Sequence, residues 1–166
     1  MFKKLASILM IFLIVYCTDK KNNTESSIGK VKKAVDSTVF KTPQVSETFL
    51  QELYQIQEEI LINPASRKHK EAFIINAYRP DENALITFGS AAHVNPKTGE
   101  VVTAALVKRA ALLDAHRWSA YGLLWLNNDF KPDFGKISEL HKGNYRELGS
   151  FIKGDSTIIA IATNVR

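Results

Sequence analysis

The chain has 166 residues, 45% hydrophobic and 23% charged, which suits one modest globular domain. Its formal charge of +5 is dispersed rather than gathered into a basic stripe with interleaved aromatics, and that excludes the usual footprint of a nucleic-acid binder. A single cysteine excludes an intrachain disulfide, and the four histidines (His69, His93, His116, His141) fall at no metal-ligand spacing, so neither a zinc site nor a cofactor is expected.

The N-terminus reads MFKKLASILMIFLIVYC, with Lys3 and Lys4 ahead of an uncharged apolar run from Leu5 to Tyr16. That run is shorter than the roughly 20 apolar residues that span a bilayer, and it predicts a secretory leader over residues 1–16. Cys17 stands where the run stops. The arrangement Ile14-Val15-Tyr16-Cys17 resembles a bacterial lipoprotein lipobox, with Tyr16 where that pattern carries a small residue. The resemblance implies that Cys17 is acylated and holds the protein to membrane lipid in the bacterial envelope, the outer membrane ahead of the inner. The alternatives are an ordinary signal peptide, giving a secreted or periplasmic domain, and an uncleaved anchor. Cleavage before Cys17 leaves 150 residues and takes the formal charge to +3.

In residues 17–44, Cys17 is followed by TDKKNNTESSIGKVKK, polar and without apolar periodicity. This segment cannot bury enough surface to offset its ordering entropy, and it reads as a flexible tether to a domain over 45–166. In SETFLQELYQIQEEILI, Ser46 to Ile62, the residues Phe49, Leu53, Ile56 and Ile60 recur at helical spacing. Ser46 or Thr48 can cap the start, and Asn63-Pro64 stops the helix. The basic run Arg67 to Lys70 precedes AFIINAY, whose β-branched and aromatic content predicts a strand over Ala72–Tyr78, closed by Arg79-Pro80-Asp81. A second strand is predicted over Ala84–Val94, where Gly89 marks a bulge or a close backbone approach. Asn95 to Gly99 is a turn cluster.

Residues Glu100 to Asn127 contain no proline and one glycine, and predict a long, largely buried helix. Leu106, Leu113, Ala120 and Leu124 share one stripe. Ala104, Ala111, Ala115 and Gly122 share another, edged by Val107, Trp118 and Trp125. Lys108, His116 and Ser119 are left to face water. Asp114 and Arg117 fall in or beside the apolar arc, three residues apart, and are expected to form a structural polar pair. Asp114 and His116 do not make an acid–base couple, because residues i and i+2 point to separate helix faces. A polar loop follows from Asn128 to Gly143, then a short helix over Asn144–Lys153 and a strand over Ser156–Thr163.

Ala105, Arg109-Ala110-Ala111, Asp114-Ala115 and Arg117 resemble the helix signature of the Lpp-twenty family of bacterial lipoproteins, itself similar to the N-terminal domain of flagellar assembly protein T. The order of strand, glycine region, helix, loop, second helix and final strand is similar from about residue 84 to 163. The resemblance implies an α+β fold, a long alanine-rich helix packed on a small antiparallel sheet with additional short helices. It also implies an envelope lipoprotein without established catalysis. A further strand usually pairs with the last one in that family, a place that Ala72–Tyr78 would fill.

Neither a phosphate-binding glycine loop nor a G-x-S-x-G elbow occurs. The expected function is a lipid-anchored envelope protein with a non-catalytic structural or partner-binding domain, meeting an envelope protein partner in an oligomeric state the sequence leaves open. The alternative is a membrane-tethered enzyme or small-ligand binder with a pocket between the central helix and the sheet, for which His93, Ser90 and Asp114 would have to converge.

Overall fold

The computed structural model describes residues 40–165; the leader, Cys17 and most of the segment 17–44 lie outside them. The elements in chain order are α1 (Glu47–Ile62), α2 (Arg67–Ala77), β1 (Tyr78–Arg79), a 3-10 turn (Pro80–Glu82), β2 (Ala84–Ala92), α3 (Ala104–Asn127), β3 (Tyr145–Lys153) and β4 (Ser156–Asn164). The strands form one antiparallel sheet in the order β1-β2-β4-β3, giving the expected α+β class with a long helix on a small sheet.

The side-chain alternation of the central strands assigns the two faces. Thr87 and Gly89 of β2, with Ile159, Ile161 and Thr163 of β4, turn toward α3. Ala111 and Ala115 of that helix pack on the two isoleucines. A Cβ built on Gly89 would lie 1.9 Å from the Ala111 carbonyl oxygen and 2.2 Å from the Ala115 nitrogen, so only glycine lets helix and strand come this close. The hydroxyls of Thr87, Ser119 and Thr163, all fully buried, bond in a chain of 2.7 and 2.8 Å, and Ser119 also donates to the Ala115 carbonyl. This contact is filled and polar groups within it are paired, which fixes the register of helix on sheet. On the opposite face, Tyr54 of α1 meets Phe88 and Phe151 edge-on at 5.5 and 5.7 Å.

α1 keeps the sequence's boundaries: Ser46 accepts from the Phe49 N–H, and Asn63 ends the helix. α2 corrects the strand expected over Ala72–Tyr78. Ser66 caps it by accepting from the His69 N–H, and Lys70, Phe73, Ile74 and Ala77 are buried at helical spacing. The period became visible only with Lys70 counted among the buried positions. The short strand that does form, Tyr78–Arg79, pairs with β2, so no part of 72–78 lies beside the last strand.

β3 corrects the helix expected over Asn144–Lys153, and with it the second helix of the family resemblance. Tyr145, Leu148 and Phe151 are its half-buried residues, a spacing of three that imitates a helix. A bulge causes it: Glu147 pairs with Ile161 and Gly149 with Ala160, leaving Leu148 as an extra residue. The hairpin to β4 turns at Gly154-Asp155, where Gly154 has a φ of +60°.

The central helix begins at Ala104 rather than Glu100, and its faces differ from the expected ones. Ser119 is buried, whereas Leu106 and Leu113 are 56% and 47% exposed. The stripe through Leu106, Leu113, Ala120 and Leu124 faces away from the sheet. The segment 128–141 covers the flank beside it that carries Trp118, Tyr121 and Trp125. Phe134 stacks on Trp118 with ring centroids 3.8 Å apart, the Tyr121 hydroxyl bonds the Ile137 main chain, and the Trp125 indole donates to the Pro132 carbonyl. Buried Lys70 ties the same segment down, donating to the Phe130 carbonyl at 3.2 Å and to Asp133 at 2.5 Å.

Candidate functional site

The polar groups of the central helix converge on the edge of β2. Among the described residues this strand has no strand partner on its outer side beyond Leu85, because β1 is only two residues long. Main-chain groups there need other partners. Gln57 of α1, 2% exposed, supplies two: its Nε2 donates to the Phe88 carbonyl and its Oε1 accepts from the Phe88 N–H, both at 3.0 Å. Two residues on, Asp114 of α3 accepts from the Ser90 N–H through Oδ2 at 3.1 Å. Two side chains thus stand where a neighbouring strand would bond.

Asp114 and Arg117 are adjacent, Arg117 Nη1 lying 3.9 Å from Asp114 Oδ1. The guanidinium also sits 4.6 Å above the Phe134 ring, and its Nε is buried without a hydrogen-bond partner among the described residues. Burial pushes the Asp114 carboxyl above the usual carboxylate range, with the Ser90 N–H and Arg117 pulling the other way. The Tyr54 hydroxyl shares this corner, between Ser90 and Glu58. Burial raises its pKa first, and the Glu58 carboxylate adds to the rise. Glu58 is ion-paired with Lys153 of β3, whose ammonium lies 5.1 Å over the Tyr54 ring.

His93 does not join Ser90 and Asp114. Its Nε2 bonds the Thr157 hydroxyl at 2.9 Å in a cleft of about 120 Å³ between the start of α3 and β3–β4, floored by Val107 and Ile159 and crossed by the Lys108–Glu147 ion pair at 3.0 Å. His116 stands edge-on to Tyr145 at 4.6 Å, and its carbonyl accepts from the His141 N–H. Burial lowers the pKa of both imidazoles, and that of His141 is lowered further by His116. His69 turns its Nδ1 to the Glu59 carbonyl. Among the described residues no three histidine, cysteine or acidic side chains gather as a metal site, and no helix is long and apolar enough to cross a membrane.

Sequence reasoning named Asp114 and Arg117 but missed Gln57, Tyr54 and Lys70. A signal existed for two of them. Gln57 lies four residues after Leu53 and three before Ile60, and Lys70 three before Phe73 and four before Ile74, so each is a polar residue on the apolar side of its helix. Comparison with protein-family models, curated proteins and solved structures returned no match.

Proposed function

We propose that the chain is a lipid-anchored bacterial envelope protein, held to membrane lipid through acylated Cys17, whose folded domain is a non-catalytic partner-binding module. The observation that carries the domain's role is where the reactive-looking side chains of the central helix are used. Asp114 bonds the Ser90 main chain, Arg117 packs on Asp114 and Phe134, and Ser119 is locked in a buried hydroxyl chain. Each is engaged with the fold rather than directed into a cavity. Support for the anchor comes from the leader, the position of Cys17, and the likeness of the central helix to that of the Lpp-twenty lipoproteins.

The mass of the N-terminal peptide from membrane-fraction protein tests the anchor. A diacylglyceryl-modified Cys17 as first residue, absent from Cys17→Ala, is the expected result; an unmodified Cys17 or an intact Met1 rules it out. A second reading, a small-ligand binder, is favoured by the cleft that holds His93, Lys108 and Thr157 between the central helix and the sheet. Thermal-shift screening of the purified protein against small charged metabolites separates the two, because a ligand of that cleft raises the melting temperature and loses its effect in Lys108→Ala.

A further inference from the structure

The sheet has a second edge, and it is not sealed. Among the described residues β3 pairs only with β4; Arg146 Nη1 donates to the Tyr145 carbonyl at the start of the strand at 3.2 Å, but no side chain bonds the outer main chain of Ser150 or Ile152 as Gln57 and Asp114 do on β2. The phase of its hydrogen bonds follows from one contact. His93 N–H donates to the Asp155 carbonyl, so Thr157, Ile159 and Ile161 turn their main chain toward β2, while Ser156, Ile158 and Ala160 turn theirs toward β3. Through the register Lys153↔Ser156, Phe151↔Ile158 and Gly149↔Ala160, the β3 residues bonded to β4 are 149, 151 and 153. Ser150 and Ile152 therefore present their N–H and C=O groups outward, and the Ile152 side chain beside them is 64% exposed.

We propose that this edge pairs with the same edge of a second copy of the chain, antiparallel about a two-fold axis at Phe151, so that two sheets become one. Ser150 exchanges both main-chain bonds with Ile152 of the second copy and the symmetry repeats the exchange. Phe151 faces its own mate at the close, non-hydrogen-bonded position. The regular segment ends at the Leu148 bulge, which shifts the following residues by one and brings Arg146 beside Asp155 of the second copy.

Charge identifies the occupant as a second copy. Of the charged residues along the hairpin, Glu147 is paired with Lys108 and Lys153 with Glu58. Arg146, whose guanidinium donates to the Tyr145 carbonyl and lies 6.0 Å over the Phe40 ring, and Asp155, which accepts from the Ser156 hydroxyl, form no ion pair among the described residues. One unpaired cation at the start of the strand and one unpaired anion at its turn are self-complementary only when two strands run antiparallel, and then both are matched, twice. The pairing is isologous, as closed dimers require.

The experiment is sedimentation of the full chain, extracted from membranes in detergent, with the detergent contribution subtracted. A protein mass of two chains is expected. Ile152→Lys, on an exposed position, should give one chain with unchanged far-ultraviolet circular dichroism. Arg146→Asp and Asp155→Arg should each weaken the dimer about tenfold, since each sets like charges opposite at two places, and the double exchange should restore it. The proposal is overturned by a single-chain mass at every concentration, which is also what an edge reserved for a different protein would give. It is equally overturned by a dimer that Ile152→Lys leaves intact, or by a double exchange that repairs nothing.

Discussion

The two edges of this sheet are handled in opposite ways. On β2 the outward main-chain groups of Phe88 and Ser90 are occupied by Gln57 and Asp114, brought in from two different helices. On β3 the outward groups of Ser150 and Ile152 meet no side chain among the described residues, and the strand's devices against pairing are a bulge and the charged residues Arg146, Glu147 and Lys153. Bulges and charges limit indiscriminate pairing without preventing a specific one, whereas side-chain caps close an edge outright. The polar density of the central helix is thereby explained: part of it closes an edge. A fold that invests a buried amide and a half-buried carboxylate in one edge, and neither in the other, has one side for itself and one for association.

The largest test of the sealed side is Gly89→Val. Asp114 reaches Ser90 only because Gly89, one residue away, lets α3 settle on the strand. A side chain there collides with the helix backbone, which cannot yield as a flexible side chain can. Loss of more than about 3 kcal/mol is expected in denaturant unfolding, at the upper end for overpacking. A neutral result would mean the helix does not sit where it is described. Next in size is Gln57→Leu, which keeps the bulk and removes both bonds to Phe88. Two buried main-chain groups lose their partners, and about 2–3 kcal/mol should go with them. On the open side, Ser150→Ala should cost less than about 0.5 kcal/mol, since it leaves the main chain alone and lies on an exposed position. Equal losses for Gln57→Leu and Ser150→Ala would erase the distinction between the edges.

How much of this was legible depended on the distance along the chain over which each feature is determined. α1 was readable because its cap, its period and its stop are all local to residues 46–64. The close approach at Gly89 was marked by the glycine itself. α2 reads as a strand because its apolar core residues have a strand's preference, while the one buried residue that completes the helical period, Lys70, falls in the basic run that precedes them. β3 was misread for the opposite reason: an extra residue at Leu148 changed a period of two into an apparent period of three. At the site, Asp114 and Arg117 were recognisable as a contact because both lie on one helix. The partner that explains Asp114, the Ser90 main chain, is 24 positions away, and Gln57 is 31 from Phe88. No local pattern encodes a side chain standing in for a strand, so the sealed edge emerged only from the fold.

The effect that bears most directly on how an edge is sealed is the pH dependence owed to Asp114. A carboxylate makes a stronger acceptor for the Ser90 N–H than a neutral group, but it must be held ionised in a half-buried place. The balance lies on the side of burial, which raises the Asp114 pKa above its ordinary value of 3.8 in spite of Ser90 and Arg117. The folded state therefore binds this proton more tightly than the unfolded chain. Stability from this group is fully present below 3.8 and is lost as pH rises through the higher folded value, after which it is flat. Asp114→Asn keeps an oxygen for Ser90 and has no proton to take up. Measured by urea unfolding at a series of pH values, the native chain should gain on Asp114→Asn as the solution is acidified toward 3.8. Asp114→Ala, which leaves Ser90 without a partner, should be weaker than Asp114→Asn by about 1–2 kcal/mol at neutral pH. A native chain that instead loses ground to Asp114→Asn on acidification would show that the ion pair with Arg117 outweighs burial. The seal would then depend on charge, and salt would weaken it.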